Sequence, residues 1–149
     1  MANLLATFHL GEFLCAVPAA DVQEVLMEQP RTPAPGASRY VAGLINLRGQ
    51  VVSALDLRLR MGVAEPPETG GFAPSMSVVV RSKDEVWSLL VDRIGDVIEV
   101  SDDQFELPPD TLGGPARDLI TGAYKLEDQL LLILDVVKLL DVGGEPALR

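Results

Sequence analysis

Val41-Ala42-Gly43-Leu44-Ile45-Asn46-Leu47-Arg48-Gly49-Gln50-Val51-Val52-Ser53-Ala54-Leu55-Asp56-Leu57-Arg58-Leu59-Arg60-Met61-Gly62 is the stretch that decides the fold. Two short apolar runs flank Arg48-Gly49, the pattern of a β-hairpin with a tight turn. Gly49 tolerates the positive φ such a turn demands. Arg48 then stands at the tip, a long cation on an acidic chain. Asp56 can cap a short helical turn over Leu57–Met61, and Gly62 can end it. A hairpin with a basic tip contains no catalytic chemistry and reads as a surface for holding a partner.

The stretch recurs. Gly43–Asp56 and Gly122–Asp135 are equally long and align at Gly43 with Gly122, Leu47 with Leu126, Gln50 with Gln129, Leu55 with Leu134 and Asp56 with Asp135. A Leu-rich turn and then a glycine, Gly62 or Gly143, follow each block. Upstream, Phe13–Val25 resembles Val86–Val97 with one residue of slip. A period near eighty residues is too long for a solenoid. It implies two related β-subdomains in one chain, each too small to be robust alone and so joined by an apolar interface.

Strands are expected at Leu4–Leu10, Glu12–Val17, Val22–Met27, in the first hairpin, at Ser77–Arg81, Glu85–Val91 and Val97–Val100, and in a second hairpin at Ala123–Leu126 and Gln129–Leu134. Gln29–Ser38 and Val63–Pro74, both Pro-rich, read as linkers, the second a mobile crossover. Asp102–Arg117 reads as a third loop, its Asp102-Asp103 pair serving a cap or turn. The tail Gly143–Arg149 is expected to fray.

Composition narrows the function. A net charge of −10 and only 12 basic residues argue against nucleic acid and against an anionic membrane surface. Neither a secretory signal nor a membrane-length apolar run is present. Cys15, the only cysteine, lies in an apolar strand and reads as a buried thiol, so no internal disulfide exists. One Cys and one His, His9, leave no zinc set, and no metal or other cofactor is expected. Gly113-Gly114-Pro115 follows no strand–helix pattern and makes no phosphate loop. No nucleophile elbow exists, so the chain does not read as an enzyme. Trp87 reads as core of the second subdomain rather than an exposed hot spot.

Several segments resemble the CheW family, the coupling proteins of bacterial chemotaxis: Asn46-Leu47-Arg48-Gly49 with Asp56-Leu57-Arg58, Val22-Gln23-Glu24-Val25, Leu90-Val91-Asp92 with Gly95-Asp96-Val97, and Ile120-Thr121-Gly122 with Leu132-Ile133-Leu134-Asp135. The resemblance spans roughly Leu5 to Leu140. Ser53, where the family usually has Pro, and Arg93, where a small residue is common, depart from it. The resemblance implies an all-β fold of two intertwined SH3-like five-stranded barrels with short helical turns and a short C-terminal helix. This is one domain over 1–149, with barrels roughly over 12–75 and 76–142 and shared boundaries.

It further implies a non-catalytic, cytoplasmic adaptor that binds the regulatory domain of a chemotaxis histidine kinase and the cytoplasmic tip of chemoreceptors. Such an adaptor is a monomer alone, assembles in arrays and reaches the inner membrane only through its receptors. Asn46, Arg48 and Gly49 fall in the region implied for the receptor, and Val22, Glu24 and Val25 in that for the kinase. Read from the residues alone, Arg48 is either a solvated turn residue or a guanidinium for a partner carboxylate. Val22 and Val25 are either core positions, with Glu24 solvated, or part of a docking edge. The two segments are expected to form separate surfaces, so that a charge reversal in one spares the partner of the other if they lie farther apart than a Debye length of about 8 Å. Two alternatives remain: a coupling protein of a pilus-motility or other non-flagellar chemosensory system, and a small-molecule-binding β-barrel.

Overall fold

The computed structural model describes residues 3–27, 29–63, 76–108 and 114–142. Among these residues eleven strands and three one-turn helices follow in order. They are β1 (Asn3–Leu10), β2 (Phe13–Pro18), β3 (Val22–Leu26), β4 (Val41–Leu47), β5 (Gln50–Asp56), α1 (Leu57–Met61), β6 (Met76–Ser82), β7 (Glu85–Val91), β8 (Arg93–Val100), β9 (Phe105–Glu106), α2 (Pro115–Leu119), β10 (Ile120–Lys125), β11 (Leu130–Leu134) and α3 (Val136–Leu140). The crossover Val63–Pro74 beyond Val63, the glycine after the second block and the tail lie outside the described residues.

Two sheets form, in the orders β8-β1-β2-β11-β10-β9 and β3-β6-β7-β5-β4. The expected all-β fold is present, and the repeat holds to the register. Val41 pairs with Leu55 and Gly43 with Ala54 across a bulge, as Ile120 pairs with Leu134 and Gly122 with Ile133. Phe8 pairs with Cys15 as Val80 pairs with Trp87, and Val25 with Val78 as Val97 with Ala6. The β1–β2–β3 and β6–β7–β8 units therefore correspond without the slip expected from sequence.

The division of strands near residue 75 does not coincide with the sheets. Hairpin β6–β7 completes the sheet of β3, β4 and β5, while hairpin β1–β2 completes that of β8 to β11. Each repeat lends its first hairpin to the other, joined by the parallel pairs β5·β7 and β11·β2. The first sheet also gains a sixth strand, β9, whose counterpart is the single bridge Thr32–Leu44. Two segments read as loops therefore pair, and Asp102–Arg117 holds a 3-10 turn, β9 and the start of α2 rather than loop alone. The block glycines answer to these bridges: a Cβ at Gly43 would meet Thr32 O at 2.7 Å, and one at Gly122 would run into the Phe105 ring.

The largest core lies between the sheets and draws on both, through Phe8, Cys15, Leu55, Val80, Leu89, Leu132 and Leu139. Each sheet also packs a smaller core on its other face. With both faces covered, β11 is Leu130-Leu131-Leu132-Ile133-Leu134 with no polar alternation. Cys15 is buried there, and burial pushes its thiol up to about 12. Trp87 is half-buried against the same core.

Candidate functional site

Arg48 and Gly49 form the two-residue turn between β4 and β5, with φ of 50° and 87°. Positive φ at both positions is the primed turn whose twist suits adjacent strands. The Asn46 Oδ1 accepts the Gly49 N–H at 2.9 Å and fixes the turn. This places the exposed Arg48 side chain over β3, where its Nη1 donates to Glu24 Oε1 at 3.1 Å and its Nη2 pairs with Glu24 Oε2. The fork is bidentate, the geometry that orients a guanidinium most firmly. Hydrogen bonding to Arg48 holds the Glu24 carboxyl below its ordinary range, and the same bond raises Arg48.

Two expectations are corrected here. Arg48 has an intramolecular carboxylate, so it is not simply a cation held out for a partner. Arg48 and Glu24, assigned to different and well-separated surfaces, are in direct contact and make one site. Of the remaining residues, Asn46 is exposed but engaged in the turn, and Val22 turns inward against the central core. Val25, expected as core in one reading, is 49% exposed, and Met27 beside it is 68% exposed. A register shift between Val22 and Glu24 accompanies this pattern, and β3 is the outer strand of its sheet. The site is thus a bidentate ion pair beside an apolar strand edge. Met27 was not singled out from the sequence; the alternation of β3 carried the only signal.

A second ion pair also escaped sequence reading, although both residues stand in segments that had drawn notice. Arg58 in α1 donates through Nε to Asp92 Oδ1 at 2.6 Å and pairs through Nη2 with Oδ2, which also accepts the Gly11 N–H at 2.7 Å. Burial raises the Asp92 pKa, but the Arg58 and Gly11 hydrogen bonds outweigh it and the net shift is downward. His9 beside it is lowered by burial and by Arg93, against the opposing effect of Asp92. Arg60 donates to the α3 carbonyls of Leu139 and Lys138 at 3.1 and 2.8 Å, a favourable cation at a helix C-terminus. These contacts clamp the two repeats together. Asp56 and Asp135 both act as helix caps, accepting from Leu59 N and Lys138 N at 3.1 and 3.2 Å.

Among the described residues no helix is long and apolar enough to cross a membrane, and no group of three metal-ligating side chains comes together. The family model described as "CheW-like domain" matches residues 5–143. The chain is 32% identical over 136 residues to the chemotaxis protein CheW of Treponema pallidum, covering 91% of this chain and 80% of that one. It is 28% identical to protein PilI of Pseudomonas aeruginosa, over 84% of this chain and 68% of that one. The crystal structure of scaffolding protein TtCheW from Thermoanaerobacter tengcongensis superposes with a TM-score of 0.83 at 26% identity, covering 97% of both chains.

Proposed function

Since the chain belongs to the CheW-like domain family, a family of non-catalytic scaffold and coupling proteins, we propose that it couples chemoreceptors to a chemotaxis histidine kinase by binding both. The observation that carries this reading is the Arg48–Glu24 pair beside the exposed edge of β3. An ion pair preformed at a turn costs little further ordering when a partner docks, and an apolar rim beside it supplies area. We assign the receptor tip to this site, with Arg48, Asn46 and Gly49 forming the turn and Glu24 and Val25 the strand side. The kinase regulatory domain then takes a different surface. The work is done in the cytoplasm, and the membrane is reached through the receptor. Coupling is the difference in affinity between the receptor's two signalling states.

Similarity to PilI favours a second reading, in which the same adaptor serves a pilus-associated chemosensory system. Surface-immobilised receptor fragment, saturated with this protein, tests the coupling directly. The kinase regulatory domain should bind only when the protein is present. Its failure to be recruited would refute the two-partner reading.

A further inference from the structure

The apolar edge beside the Arg48–Glu24 pair ends in a side chain whose polarity can be changed chemically. Exposure alternates along β3, which puts Val25 and Met27 on one side of the strand. Leu26 between them packs into the core of its own sheet. Met27 is 68% exposed. Gln29 Nε2 donates to its carbonyl at 3.1 Å, so the backbone just past the strand is tied down while the side chain stands in solvent. A thioether so placed offers its sulfur lone pairs to any oxidant dissolved in water.

The other sulfurs are withdrawn from solvent. Met61 is 4% exposed at the end of α1, inside the core between the sheets. Met76, at the start of β6, is partly buried against that same core. Cys15, the only cysteine, is buried in β2. Burial pushes its thiol up to about 12, which leaves little of the thiolate that reacts with peroxides. Among the described residues, Met27 is therefore the sulfur that an oxidant meets first.

We propose that Met27 is a reversible oxidation site, and that its sulfoxide turns the β3 edge from apolar to polar and releases the receptor tip. The second half rests on the assignment of the receptor to this edge. In the forward step the thioether sulfur attacks one oxygen of hydrogen peroxide. The O–O bond breaks, an S–O bond forms, and the second oxygen leaves as water with the proton that the first gives up. Sulfur loses two electrons and the peroxide gains them. A thiol-dependent methionine sulfoxide reductase reverses the step: two thiols become a disulfide and the oxygen leaves as water. The sulfoxide keeps the length of the side chain but carries a strong hydrogen-bond acceptor. Docking against an apolar partner strips water from that oxygen, which is unfavourable unless the partner supplies a donor. Arg48 and Glu24 are untouched, so oxidation acts through the apolar part of the site alone.

Dilute hydrogen peroxide applied to the full chain tests both halves. Oxygen uptake is followed by peptide mass spectrometry, and the treated protein is melted and titrated against a chemoreceptor cytoplasmic-tip fragment. Met27 should gain one oxygen well before Met61 and Met76, with melting unchanged because the side chain is exposed. Receptor affinity should fall about fivefold or more, the loss that separates contacts that matter at an interface from near-neutral ones. Incubation with a methionine sulfoxide reductase and a dithiol should restore it. Met27→Leu keeps an apolar side chain without the thioether, so it should bind like untreated wild type before and after peroxide. Uptake at Met61 or Met76 as fast as at Met27 would overturn the modification site. Wild-type affinity in protein oxidised at Met27, or an equal loss in peroxide-treated Met27→Leu, would overturn the regulatory effect. Failure of untreated wild type to bind the fragment would sink the receptor assignment and the regulatory effect with it, while the order of oxygen uptake would still decide the modification site.

Discussion

The two sheets have one topology and unequal cores. Behind β1, β2, β10 and β11 lie Leu5, Leu14, Ala16, Tyr124, Leu131 and Ile133. The register places Ser77, Val86, Ser88, Ile45, Val52 and Ala54 at the same points of the other sheet. Five of these six exchanges replace a larger apolar residue with a smaller or polar one, and the sixth adds a hydroxyl. Only at Thr7 against Val79 does the polar residue fall in the first sheet, and Thr7 is satisfied by donating to Asp96 O at 2.6 Å. Ser77 and Ser88, by contrast, are 1% and 0% exposed with no hydrogen-bond partner. Unpartnered buried hydroxyls cost about 1–3 kcal/mol each. The sheet that carries Arg48 and Glu24 is thus the more weakly packed of the two. A duplicated scaffold has kept its register while one sheet has a fully apolar or satisfied core and the other, which carries the Arg48–Glu24 pair, buries two unpartnered hydroxyls.

The comparison can be broken most forcefully at Leu5 and Ser77, which occupy equivalent positions. Leu5→Ala should cost about 2–5 kcal/mol, the usual range for emptying a packed leucine site. Ser77→Ala should be neutral or stabilising. Urea denaturation of both variants checks this, and costs of equal size and sign would show that the cores are alike.

The clamp between repeats comes next in size. Asp92→Asn should lower stability by about 1–3 kcal/mol by removing the charge from the Arg58–Asp92 pair. The folded pKa of Asp92 lies below its unfolded value, so its contribution is complete above the ordinary aspartate value near 3.8 and is lost as pH falls through the lower folded value. Wild type should therefore lose stability on acidification across that window more steeply than Asp92→Asn, as melting at a series of pH values would show. Parallel acid limbs in the two proteins would mean the pair contributes nothing.

Smaller still is Ser88→Ala, which copies Ala16 of the better-packed sheet. It should raise stability by about 1 kcal/mol, since it deletes an unpartnered hydroxyl without opening a large cavity. Hydrogen exchange sharpens the same point: amides of β6 and β5 should exchange faster than those of their interior counterparts β1 and β11. Slower exchange in β6 and β5 would reverse the ranking of the sheets.

Much of this was legible in the sequence, and the limits have physical causes. Arg48-Gly49 announced its hairpin because turn chemistry is local, and Asp56 and Asp135 announced their caps for the same reason. The aligned blocks revealed the duplication. The exchange of hairpins was not legible, because β5·β7 and β11·β2 are parallel pairings between distant segments and leave no local mark. β9 has two residues, below the length at which alternation can be seen. Val25 stayed open between core and exposed edge because a register shift at β3 changes which face it takes. The partners of Arg48 and Arg58 lie 24 and 34 positions away, and an arginine's spacing does not say which of 22 acidic residues it will meet.

The central claim is that the Arg48–Glu24 pair is a docking element rather than a brace. The direct measurement compares Arg48→Glu, Glu24→Arg and the double exchange, each melted and titrated against a receptor fragment. The pair lies at the surface, so each single change should leave the melting temperature close to that of wild type. Each should clearly weaken receptor binding. The double exchange restores an ion pair within the chain but presents its charges reversed to the partner, so binding should remain weak. Recovery of binding in the double exchange, or single variants that melt far below wild type, would contradict the account and leave the pair a structural brace.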